Sequence, residues 1–140
     1  MASSVFCRNL LSGKVAVVSG GGTGIGYAIA SEFLSLGANV VIASRNAEHL
    51  NSAVDKLSSF VEKSCKDIQP KVSYEVVDIR EESQVRSLFS NVLQQHGQVD
   101  ILVNNGGGQF PSPANTMRLK GWNSVIETNL TGTVSSPINS

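Results

Sequence analysis

Residues 19–26 read Ser-Gly-Gly-Gly-Thr-Gly-Ile-Gly. Glycines this dense let a backbone come close to another group and turn its amides towards it, which is what a phosphate needs. Gly20 would turn the chain out of a strand, Gly24 would let the backbone approach a pyrophosphate, and Gly26 would let a following helix pack closely. The three glycines are spaced by three residues and then one, unlike Gly-x-Gly-x-x-Gly. A ligand-free glycine turn is the alternative reading; the position between a strand and a helix favours the phosphate. A second group stands at Ala43-Ser44-Arg45. Sites for NAD carry a carboxylate at the end of the second strand to hold the ribose 2′-hydroxyl, whereas a basic residue there accommodates a 2′-phosphate. No acid follows Ser44 and Arg45 before Glu48, so the turn favours NADPH over NADH. The alternative is a solvated surface arginine. Asp78, closing a third apolar run, suits the adenine amino group or, equally, a turn or helix N-cap. Asn104-Asn-Gly106-Gly-Gly108 follows a fourth run and fits either a ligand edge or a plain turn. Asn129 lies four residues after Val125 and seven after Trp122, on the apolar face of a predicted helix, where an amide must be satisfied or used.

These groups need a frame, and short apolar runs alternating with longer helical patterns supply one. Strands are predicted at 14–19, 39–43, 72–77 and 99–103. Ile25, Ile29, Phe33 and Leu36 mark a first helix face ending at Gly37. Leu50, Val54, Leu57 and Val61 mark a second. Val85, Leu88, Phe89, Val92 and Leu93 mark a third, closed by Gly97, and Leu119, Trp122, Val125, Ile126 and Leu130 a fourth. Right-handed crossovers give an α/β, Rossmann-type doubly wound parallel sheet in the order 3-2-1-4. The sheet is incomplete, because the buried-type sequence Ile101-Leu-Val would lie at an edge. Residues 1–13 are expected as an N-terminal extension, 14–133 as the NADP-binding half of the domain and 134–140 as a divergent tail.

Composition narrows the function. In 140 residues, eleven basic and eleven acidic side chains cancel, so no basic surplus points to nucleic acid or an anionic membrane. Apolar runs such as 15–18 and 40–43 are strand-length and cannot span a bilayer. Cys7 and Cys65, far apart, read as free thiols of a reducing compartment. His49 and His96 have no partner at metal spacing, so no metal is expected.

Taken together, the motifs resemble the short-chain dehydrogenase/reductase family over about residues 11–133. Ser19-Gly-x-x-x-Gly-x-Gly26 is similar to that family's Thr-Gly-x-x-x-Gly-x-Gly, Asn104-Asn-Gly-Gly107 to its Asn-Asn-Ala-Gly, and Asn129-Leu-Thr-Gly132 to the segment with its tetrad asparagine. The resemblance implies that Ser19, Gly20, Gly22, Thr23, Gly24, Ile25, Gly26, Ser44, Arg45, Asp78, Asn104 and Gly106 hold the cofactor, and that Asn129 is catalytic. Within the family, residues 104–110, 112–114, 120–122 and 127–133, with Val40-Val-Ile-Ala-Ser-Arg45, resemble the peroxisomal trans-2-enoyl-CoA reductases. These use NADPH to reduce an enoyl thioester in fatty-acid elongation. Reductases of 2,4-dienoyl or 3-ketoacyl thioesters are the alternatives within the family.

The family's catalytic serine and Tyr-x-x-x-Lys are not found: Tyr27 is followed four residues on by Ser31, and Tyr74 by Asp78. Pro137 disfavours continuing the last helix, and the final residues, Ile-Asn-Ser140, differ from a peroxisomal address of the Ser-Lys-Leu type. The expectation is therefore a truncated form, inactive alone, peroxisomal by resemblance or cytosolic for want of that address. The alternative is a non-catalytic nucleotide-binding or interaction fragment. Either could form a homo-oligomer or pair its open strand edge with a full-length partner.

Overall fold

The computed structural model describes residues 5–109, 111–113 and 115–132. The expected tail at 134–140 lies outside them. Four strands, β1 (Val15–Ser19), β2 (Asn39–Ser44), β3 (Val72–Val76) and β4 (Ile101–Val103), form one parallel sheet in the order β3-β2-β1-β4. The register pairs Val17 with Val41 and with Leu102, and Val41 with Ser73. This is the doubly wound order expected from the sequence.

Alternation along the strands divides the core in two. Ala16, Val18, Val40 and Ile42 face α1 (Gly24–Ser35) and α2 (Ala47–Ser64), burying Ala30, Leu34, Leu50, Ala53, Leu57 and Val61. Val15, Val17, Val41 and Ala43 face the other way, against Val85, Leu88 and Val92 of α3 (Glu82–His96). Strands buried on both faces read as continuous valine and isoleucine runs, as parallel sheets require. Gly97, at φ +77°, closes α3 as its cap.

The first helix buries a face that overlaps the one its large apolar residues suggest. Gly26, Ala30 and Leu34 are buried, Ile29 and Phe33 pack against the same core while partly exposed, and Leu36 is buried. Of the expected face only Ile25, 73% exposed, points to solvent. Small side chains at Gly26 and Ala30 bring the helix start against the turn that precedes it.

β4 is shorter than expected, and its three residues are only partly buried. Among the described residues it pairs on one side only, with β1. The fourth helix, α4 (Leu119–Ile126), runs into a π-helical turn at Glu127–Thr131. Its apolar stripe is only partly covered by the described residues: Val125 and Ile126 are half-buried, while Leu119, Trp122 and Leu130 are exposed. No described helix is long and apolar enough to cross a membrane.

Candidate functional site

The glycine turn is built by close approaches rather than by side chains. β1 ends at Ser19, and Gly20 turns the chain at φ +67°, its N–H donating to the Ala43 carbonyl at 2.7 Å. A Cβ on Gly21 would stand 2.6 Å from Ile42 Cγ2, and one on Gly26 would collide with the Gly20 carbonyl oxygen. Gly26 therefore does bring helix and turn together, as its position suggested. Gly21 was not singled out in the sequence, although the unbroken Gly20–Gly22 run carries the signal.

α1 begins at Gly24 with Thr23 as an extended N-cap. Thr23 makes no side-chain capping bond, and no acidic residue stands in the first turn. The amides of Gly24, Ile25 and Gly26 precede the first intrahelical bond, from Tyr27 N–H to Thr23 O at 3.3 Å. Such an uncapped helix start carries partial positive charge and unspent donors.

A cleft of about 520 Å³ opens at this point, at the carboxyl ends of the strands. That is within the range of small-molecule sites, in the location where open α/β sheets bind ligands. Gly20, Gly22 and Thr23 form one wall. Ala43, Ser44, Arg45, Asn46 and His49 form the next, then Val77, Asp78 and Ile79, with Gly106, Gly107 and Thr128 opposite. A second cleft of about 380 Å³ shares Gly22, Thr23 and His49 and extends between α1 and α2 to Lys56. Arg45 stands between two residues that make local side-chain bonds to the backbone. Ser44 Oγ accepts the Asn46 N–H at 3.4 Å, and Asn46 Oδ1 caps α2 by accepting the His49 N–H at 3.0 Å. Arg45 makes no ion pair among the described residues.

Asp78 takes the turn role rather than the N-cap, since Glu81 precedes α3. Its Oδ1 accepts the Arg80 N–H at 3.0 Å and Arg80 Nε at 2.9 Å, and its Oδ2 accepts Nη2 at 2.6 Å. The bonds from the Arg80 side chain hold the Asp78 carboxyl below its ordinary pKa against the opposing effect of burial, and the charge of Arg45 adds a smaller push in the same direction. Arg80 carried no sequence signal: a polar pair two residues apart has no periodicity to betray it.

Several expected contacts are placed otherwise: Gly24 lines only the second cleft, and Ile25 and Gly26 line neither. Ser19 is buried, and its Oγ accepts the N–H groups of Asn105 and Gly106 at 3.0 and 2.9 Å while donating to Val103 O at 3.2 Å. It fastens β1 to the turn after β4 and does not line the cleft. Asn104 is exposed and also lies off the lining. Its neighbour Asn105 does the holding, with Nδ2 donating to Ser19 O at 3.3 Å and Gly20 O at 3.4 Å. The Ile25 side chain points to solvent, leaving only its backbone to contribute. Asn129 is exposed, not on a buried face, and its amide is satisfied. Oδ1 accepts the Gly108 N–H at 3.2 Å, and Nδ2 donates to Gly108 O at 2.8 Å and Val125 O at 3.0 Å.

A four-stranded parallel sheet with a glycine turn opening its first helix defines a Rossmann-type unit. The chain belongs to the short chain dehydrogenase family, whose model matches residues 14–136. Proteins of this family generally bind NAD(P). The chain is 35% identical over 129 residues to the peroxisomal 2,4-dienoyl-CoA reductase [(3E)-enoyl-CoA-producing] of Danio rerio, covering 92% of this chain and 41% of that protein. Among solved structures it is similar to the citronellol catabolism dehydrogenase AtuB of Pseudomonas aeruginosa, with 38% identity and a TM-score of 0.83, covering 95% of this chain and 51% of that one. The Pseudomonas aeruginosa RhlG/NADP active-site complex matches at 29% identity with a TM-score of 0.80, covering 94% and 48%. The chain thus spans about half the length of the proteins it matches, or less.

Proposed function

We propose that this chain is the NADPH-binding half of a reductase acting on the carbon–carbon double bond of an unsaturated acyl-CoA thioester. The observation that carries the reading is the cleft itself, which joins Thr23, at an uncapped helix start, on one wall to Arg45, without an ion pair among the described residues, on the next. The residues fit a dinucleotide. The amides of Gly24, Ile25 and Gly26 would take the pyrophosphate, and the close packing at Gly21 and Gly26 keeps side chains out of its way. Arg45, a permanently charged fork, and Ser44 would take the 2′-phosphate. Gly20, Gly22 and Thr23 would border the phosphates, and Gly106 the wall after β4. When bound, NADPH supplies hydride.

This chain's own residues bind and position. Ser19 and Asn105 fasten the glycine turn to the β4 turn, so the two walls keep their separation. Asn129 holds the Gly108 backbone from both sides, fixing the loop beside the cleft. The enoyl-CoA part of the reading is supported by residues 104–114 and 120–133, which resemble trans-2-enoyl-CoA reductases, and by the name of the 2,4-dienoyl-CoA reductase relative. The peroxisomal name of that relative supports assigning the reaction to the peroxisome. The 140 residues contain no Tyr-x-x-x-Lys, the family's proton-handling pair, so the chain on its own binds cofactor without turnover.

The test is a titration of the purified chain, following its thermal transition with NADPH and with NADH. A ligand that binds only the folded state raises the midpoint with the logarithm of its concentration. NADPH should raise it at concentrations where NADH does not, and trans-2-enoyl-CoA with NADPH should be consumed no faster than in buffer. No shift with NADPH would remove the cofactor reading, and turnover above buffer would remove the claim of inactivity.

A second reading is carried by β4. Among the described residues it is paired on one side only, and the exposed Leu119, Trp122 and Leu130 add apolar surface. An open strand edge invites another chain, and a longer chain of the same family is the proposed partner. Co-elution with such a reductase would support it; separate elution at all mixing ratios would refute it.

A further inference from the structure

Asp78 and Arg45 line the same cleft, and Arg80 binds the Asp78 carboxylate through both of its oxygens. A carboxylate offers about four acceptor positions. Arg80 meets them with three N–H donors: its backbone N–H on Oδ1 at 3.0 Å, its Nη2 on Oδ2 at 2.6 Å, and its single Nε–H shared between Oδ1 at 2.9 Å and Oδ2 at 3.2 Å. Arg80 thus engages both oxygens of a carboxylate that stays partly exposed at the cleft wall. Asp78 also brings its charge to the cleft, and Arg45 and Asp78 feel one another's charge. An anion held by Arg45 would feel it too, with the opposite sign.

We propose that Arg80 is a specificity-determining positioning residue: by clamping and neutralising Asp78 it allows a 2′-phosphate to be held at Arg45. The inference rests on the cofactor reading above and deepens it. An acid lining such a cleft would otherwise disfavour an added phosphate by like charge, as a carboxylate at the end of the second strand does more directly. Here the acid stands after the third strand, so its charge must be cancelled if Arg45 is to accept an anion. Arg80 does so with fork geometry that a lysine would reproduce only as a point charge.

The experiment measures dissociation constants of NADPH and NADH for the 140-residue chain and for Arg80→Gln, Arg80→Lys, Asp78→Asn and the double variant Asp78→Asn with Arg80→Gln. The ligand-free thermal transition of each is recorded beside them. Arg80→Gln leaves a bare carboxylate, and the NADPH-over-NADH preference should fall by about fivefold, a partly screened like-charge effect. NADH binding should change much less. Arg80→Lys should keep most of the preference, and the double variant should regain it because the charge is gone. A ratio unchanged in Arg80→Gln overturns the inference while leaving the cofactor reading intact. A double variant as impaired as Arg80→Gln overturns it as well, by making Arg80 a direct phosphate ligand. If the unaltered chain binds neither nucleotide, the cofactor reading fails and takes this inference with it.

Discussion

Replacing Gly26 by alanine separates a close approach from ordinary helix propensity. In an open helix the change would stabilise by about 1 kcal/mol. Here the new methyl would meet the Gly20 carbonyl and stand 2.6 Å from Asn105 Nδ2 and 2.7 Å from the Gly20 carbonyl carbon. Two of these atoms are backbone, and Asn105 is itself bonded to Ser19 O and Gly20 O. Relief therefore requires the helix to move off the turn and those two bonds to break. Overpacking costs about 1–3 kcal/mol, and two lost hydrogen bonds cost roughly 1 kcal/mol each. After the gain in propensity, the net loss is about 2–4 kcal/mol, and the thermal midpoint should fall by roughly 10 °C. Gly22→Ala is the control. The nearest atoms to its added methyl, on His49 and Leu50, stand at 3.6 Å, ordinary contact distance. Its ligand-free midpoint should stay within about 2 °C of the parent. Gly22 borders both clefts, however, so the same methyl should weaken NADPH binding. Differential scanning fluorimetry without ligand, then with NADPH, reads both effects. A Gly26→Ala chain that melts with the parent, or a Gly22→Ala chain that melts far below it, would refute the reasoning from close approach.

Other substitutions probe the site's remaining parts. Arg45→Ala should weaken NADPH binding by about tenfold, the loss of a charge-assisted bond, while leaving NADH binding nearly unchanged; equal losses for both would show that Arg45 does not meet the 2′-phosphate. Ser19→Ala should cost about 2–3 kcal/mol, because the Asn105 and Gly106 N–H groups lose their acceptor in a part-buried turn, and urea unfolding measures it. Asp100 accepts the Val15 N–H at 2.8 Å, and that bond, with lesser help from Lys14 and Gln98, holds its pKa below the ordinary value. A carboxyl whose folded pKa lies below the unfolded one stabilises above about pH 4 and loses that contribution as pH falls through the folded value. Asp100→Asn should therefore lower the midpoint at neutral pH and converge with the parent in acid; a gap that persists undiminished at low pH would contradict the assignment.

The sheet was legible because its physics repeats. Strands buried on both faces must be apolar throughout, so 15–18 and 40–43 declared themselves, and right-handed crossovers left one order for four of them. The second and third helices were legible for the same reason, with Leu50, Leu57 and Val61, and Val85, Leu88 and Val92, buried as their spacing required. The first helix was legible in part. Counting large apolar residues finds Ile29, Phe33 and Leu36, which do pack on the core, but it also takes in the exposed Ile25 and passes over Gly26 and Ala30, the small residues buried beside the glycine turn.

The site divides along the same line. Groups that act through backbone leave a compositional trace, so the close approaches of the glycine turn could be read directly. Groups that act through one partner leave none. Ser19 looks like a phosphate ligand until the β4 turn takes its hydroxyl, Asn105 outranks Asn104 only because of where strand β4 ends, and Arg80 has meaning only once Asp78 is seen in its fork. This is why the charge state of the cleft is a property of the fold and not of the motif. The motif supplies one cation at Arg45 and one anion at Asp78, a balance that would leave an incoming phosphate with little net attraction. The third-strand turn brings in Arg80, which under the proposal above offsets the Asp78 charge without itself touching the nucleotide.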